Sequence, residues 1–190
     1  EEDKEFGKRH WLFRIESLAR QIKDAPLFEK TRIASWGKLN SAACVDIARV
    51  YLESGDARTA RSWLERIPES ESFQAHERDA LLLEVYGQLH DGKKRTEVAW
   101  RVFKRSRSEE SLQELLAVIG PDQRERVVAD EVGLMLTEED LSLSDLTFLI
   151  ELGRLSGAED YLLQRADRID GDLYGCLLPP AEALDAGGRP

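Results

Sequence analysis

The densest run of chemistry-bearing side chains is cationic: Lys93, Lys94, Arg95, Arg101, Lys104, Arg105 and Arg107, with Glu97 as the sole carboxylate among them. At helical spacing Lys94, Arg101 and Lys104 or Arg105 fall on one stripe, opposite Ala99, Val102 and Phe103. Cations so arrayed can dock a partner's carboxylates, a phosphate or a nucleic-acid strand. Lys104, Arg105 and Arg107 equally suit a helix C-terminus, where positive charge complements the helix dipole.

Other chemistries lack their residue patterns. The histidines, His10, His76 and His90, stand too far apart in sequence to share a metal on one helix, and no HExxH or CxxC spacing occurs. Asp170 and Asp172 flank Gly171 like part of a calcium loop, yet too few oxygen ligands follow, so a capped turn is expected. No serine sits in GxSxG, and Gly153 and Gly157 lack the neighbours that would cradle a phosphate. The carboxylates Glu69, Glu71, Glu138, Glu139 and Asp140 are assigned to helix starts, where the dipole favours negative charge. No enzymatic activity, cofactor or metal is expected.

Composition narrows the partner classes. A net charge of -10 over 190 residues repels phosphate backbones, so nucleic acid is disfavoured outside a local basic patch. With 42% apolar and 34% charged residues the chain has enough apolar side chains for a packed core. Cys44 and Cys176 lie far apart among apolar neighbours, which suggests buried, reduced thiols and a cytoplasmic setting. No apolar run is long enough to span a bilayer.

The elements that position these residues are helices, because apolar residues recur at three- and four-residue steps and nowhere alternate. Trp11, Ile15, Leu18 and Ile22 form the first apolar stripe, and Pro26 ends that helix. Phe6, Trp11, Phe13 and Leu18, interleaved with Lys8, Arg9, Arg14 and Arg20, are expected to cap the stack, or else to meet a membrane surface or a partner's groove. Leu27, Phe28, Ile33 and Trp36 follow, up to Gly37. Asn40 caps a helix carrying Val45, Ala48, Tyr51 and Leu52, Gly55 ends it, and Asp56 caps a return helix that Pro68 closes. The order Leu52, Gly55, Trp63 repeats as Leu89, Gly92, Trp100, which suggests a stacked repeat with the two indoles in equivalent positions. Gly120-Pro121 separates the next two helices, Gly157 is expected to mark a third helix–turn–helix, and Pro179-Pro180 should break or kink the last helix.

Ala48, Tyr51, Gly55, Ala60 and Leu64 stand where a tetratricopeptide repeat places its small, aromatic, turn, small and large residues, so this unit resembles such a repeat. From about Asn40 to Leu184 the segments ARVYLESGDARTARSWLERIP, RDALLLEVYGQLHDG and YLLQRADRIDGDLYGCLLPPAEAL resemble a bacterial all-helical family of unknown function. That resemblance implies the fold and no activity.

The expected architecture is all-α: stacked antiparallel helix pairs in one α-solenoid or tetratricopeptide-like domain. Residues 1–39 would cap it, 40–107 form two repeat-like pairs, 108–184 add further pairs, and 185–190 fray. The expected role is a protein–protein interaction scaffold, with nucleic-acid or anion binding, or an enzyme of unknown chemistry, as alternatives. Oligomeric state is not legible. The candidate contacts are Arg49, Asp79, Tyr86 and His90 on first helices, together with Lys94, Arg101, Lys104 and Arg105.

Overall fold

The structure is a computed structural model that describes residues 2–169 and 174–188. Asp170, Gly171 and Asp172 lie outside the described residues. Those described are helical, with no strand among them. In chain order the helices are α1 (Glu2–Gln21), α2 (Ala25–Trp36), α3 (Ser41–Glu53), α4 (Ala57–Leu64), α5 (Ala75–Gln88), α6 (Gly92–Arg105), α7 (Glu109–Ile119), α8 (Arg124–Thr137), α9 (Leu143–Glu151), α10 (Leu155–Leu163) and α11 (Tyr174–Ala186). The chain forms two compact units, Glu1–Val98 and Ala99–Pro190, and the division falls within α6.

In the first unit α3 packs against α2, α4 and α5, and α1 packs against α2. Ile47, Ala48 and Val50 are fully buried, so α3 forms the centre, with Ala60, Trp63 and Leu64 of α4 closing over it. In the second unit α9 packs against α10 and α11. Phe148 of α9 meets Phe103 edge to face at 5.7 Å, and Leu112, Leu115, Met135, Leu146 and Tyr161 are also buried in this unit.

One turn recurs at four helix junctions. Asp24, Asp56, Asp91 and Arg154 each donate their backbone N–H, at 2.9 Å, to the carbonyl five residues back, on Ala19, Tyr51, Tyr86 and Leu149. The residue before each donor has left-handed backbone: Lys23 (φ +56°), Gly55 (+88°), His90 (+55°) and Gly153 (+69°). This is the Schellman closure of a helix. Three of the four donors then cap the next helix through a carboxylate: Asp24 accepts from Leu27 N at 3.0 Å, Asp56 from Thr59 N at 3.0 Å and Asp91 from Lys94 N at 3.1 Å.

That turn corrects the sequence register. His90, not Gly92, is the counterpart of Gly55, and Gly92 is the first residue of α6. Counted from the turns, buried Trp63 then corresponds to buried Val98, while half-buried Trp100 corresponds to exposed Glu65. The third turn likewise falls at Gly153, and Gly157 lies inside α10. Three other expectations change. The stripe Trp11, Ile15, Leu18 and Ile22 is exposed, because α1 buries Glu16 and Ala19 instead. The last helix runs through Pro179 and Pro180 from Tyr174 to Ala186, so of the expected break or kink there is no break. Cys44 is buried, where desolvation pushes its thiol pKa up, but Cys176 is exposed.

Candidate interaction surface

Lys94, Arg101, Lys104, Arg105 and Arg107, all singled out in the sequence, each have an interaction partner. Lys94 holds Glu97 at 3.0 Å across one helical turn, and that bond raises its pKa. Lys104 lies 3.7 Å from buried Glu131 and 5.6 Å from the Trp100 ring centroid. Arg101 and Arg105 also have interaction partners. Arg107 is half-buried between two buried carboxylates, with Nε 3.1 Å from Glu131 and Nη1 2.9 Å from Asp145, and it lies 3.7 Å from Glu138. Desolvation pulls its pKa down, but the bonds to Asp145 and Glu131 outweigh that and raise it overall.

The first-helix candidates divide. Asp79 and Tyr86 were expected at the surface, yet Asp79 is fully buried and Tyr86 is 5% exposed. Asp79 pairs with buried Arg78 at 3.0 Å, whose Nη1 donates to the Pro68 carbonyl at 2.7 Å. Tyr86 Oη donates to Glu65 at 3.1 Å, just as Tyr51 Oη donates to Glu29 at 2.6 Å. Both hydroxyls therefore bond back to a preceding segment, and both tyrosines are buried. Arg49 is half-buried and His90 is exposed.

The surface that sequence reasoning missed lies among α1, α2 and the start of α3. One cleft of about 400 Å³ is lined by Phe13, Glu16, Arg32, Ser35 and Trp36. A second, of about 180 Å³, shares Arg32 and Trp36 and continues along Lys38, Asn40, Ala42, Ala43 and Asp46. Phe13 and Trp36 are 69% and 68% exposed, so large rings stand over the groove with little cover.

The floor is an ion-pair network. Arg32 Nη1 lies 2.9 Å from Glu16, its Nη2 donates to Asp46, and Arg20 reaches the same aspartate at 3.1 Å. Both guanidinium groups also lie over the Phe28 ring, at 5.4 and 5.2 Å. Arg32 thus joins three helices, with α1 supplying Glu16, α3 supplying Asp46 and α2 supplying Arg32 and the ring beneath it. Burial raises the Glu16 pKa, partly countered by Arg32. Local sequence builds each wall: Asp24 caps α2, Gly37 ends it at φ +66° just after Trp36, and Asn40 caps α3 through Ala43 N at 2.9 Å.

The sequence model of a family described as a family of unknown function (DUF6880) matches residues 18–187. The chain belongs to that family. No curated protein and no solved structure matches the DUF6880 chain. The matched span covers the cleft residues on α2 and α3, whereas Phe13 and Glu16 precede it. Among the described residues, no helix of this DUF6880 member is long and apolar enough to cross a membrane.

Proposed function

We propose that the chain is a tetratricopeptide-like helical-repeat module that binds another protein through the α1–α2–α3 cleft and has no catalytic role. The recurring turn supports the repeat reading, since one closure geometry joins α1 to α2, α3 to α4, α5 to α6 and α9 to α10. The observation that carries the binding reading is the pair of exposed rings, Phe13 and Trp36, above a part-buried charged floor. Contiguous exposed apolar surface marks interaction sites, and aromatic anchors beside arginine dominate protein interfaces. The floor charges are committed to one another, which suits a rigid platform better than an acid or base that must exchange protons.

Site-directed photo-crosslinking tests the reading. A photo-reactive phenylalanine analogue at position 36 should capture one protein species in source cells, and the analogue at position 163 should not, although Leu163 is equally exposed. Capture of the same mixture at both positions would refute it.

A further inference from the structure

A second surface of the first unit lies on the other side of α1. Trp11, Ile15, Leu18 and Ile22 are 61%, 37%, 54% and 60% exposed, at spacings of four, three and four residues. That spacing makes a continuous ridge along about 16 Å of helix. Phe13, two residues from Trp11, points to the opposite side, so this ridge is separate from the cleft. The exposed side chains amount to on the order of 400 Å², at the scale of the largest apolar patch on a typical monomer.

The charge around the ridge is one-sided. Between His10 and Asn40 the exposed charged residues are Arg14, Arg20, Lys23, Lys30 and Lys38. The three carboxylates of that stretch are used inside the unit: Glu16 pairs with Arg32, Asp24 caps α2 at Leu27 N, and Glu29 accepts from Tyr51. Arg14 sits at the ridge edge with its guanidinium 5.8 Å from the Trp11 centroid, and Lys23 directly follows Ile22. Within that stretch the exposed charged residues are all cationic, in a chain whose total charge is -10.

We propose that the α1 ridge docks an amphipathic helix whose apolar face is edged by carboxylates. A helix fits because its own ridges interlock with side chains spaced at three and four residues. Carboxylates at its edges fit because they would neutralise Arg14 and Lys23. A second copy of this chain fits poorly: the antiparallel pairing that sets Trp11 against Ile22 and Ile15 against Leu18 also brings cationic edge against cationic edge. This proposal does not rest on the cleft reading.

The test uses the full chain and two fluorescent synthetic peptides with the same leucine heptad face, one flanked by glutamate and one by lysine. The glutamate peptide should bind about tenfold tighter or better at low salt, and weaken as salt rises. Leu18→Asp should abolish binding with the helical circular dichroism unchanged, and Trp36→Ala should leave it intact. Arg14→Glu with Lys23→Glu should invert the peptide preference. Equal affinity for the two peptides, no binding of the glutamate peptide, or a preference unchanged by the charge reversal would overturn the proposal. So would sedimentation with phosphatidylglycerol vesicles in the absence of peptide binding.

Discussion

His90 holds, at φ +55°, the backbone position that Gly55 holds at φ +88° in another copy of the same turn. Four residues before each stands a tyrosine, Tyr86 or Tyr51, bonded through its hydroxyl to a glutamate on a preceding segment. An L side chain in this conformation costs on the order of 1 kcal/mol, a cost glycine avoids.

His90→Gly should therefore stabilise the chain by about 0.5–1 kcal/mol, since relief of the strained backbone outweighs the extra freedom gained by the unfolded chain. Gly55→Ala should destabilise it by about 1–2 kcal/mol, although a methyl there would meet no atom within 4 Å. Urea denaturation of the two variants checks the pair. The same sign for both would remove the equivalence of the turns.

Arg107 is expected to be the most sensitive surface-adjacent cation. Arg107→Met removes the partner of Glu131 and Asp145, which are 3% and 2% exposed as side chains. Two buried carboxylates left without that partner should cost about 3–5 kcal/mol, readable as a lowered denaturation midpoint. Exposed Lys94→Met, which only breaks the bond to Glu97, should change stability far less.

The helices and most of their ends were legible because apolar spacing, Asp or Asn caps and glycine stops are local signals. Asn40, Asp56 and Gly120 stand where the sequence places them. The turn at His90 was not legible, since a histidine in left-handed backbone carries no compositional mark and nearby Gly92 is the more obvious stop. Periodicity located the stripe on α1 without saying which side packs. The ion pairs of Glu16 and Ala19's burial decide that, and α1 turns its largest apolar residues outward. Nor could spacing find the cleft, because Arg32 meets Asp46 and Glu16 from three different helices. Asp79 and Tyr86 read in the sequence as surface polar groups, while their partners, Arg78 and Glu65, make them interior ones.

Alkaline titration gives a further check. Burial, then the bond to Glu65, pushes the Tyr86 phenol from 10 up to about 12. A raised folded-state pKa means that its contribution to stability is complete below pH 10 and is lost as the pH rises through about 12. Ultraviolet phenolate titration should find this late-ionising tyrosine, and Tyr86→Phe should flatten the fall in stability over that window. A wild-type fall complete by pH 10 would contradict the buried bond.

If the α1–α2–α3 cleft meets a protein, its backbone amides slow their exchange when that protein binds. The most direct measurement is hydrogen exchange of the chain, free and bound to the partner captured at position 36. Protection should concentrate in residues 12–17 and 32–46, around Phe13, Arg32, Trp36 and Asp46. Protection centred on α6, over Lys94, Arg101, Lys104 and Arg105, with the cleft unchanged, would contradict it.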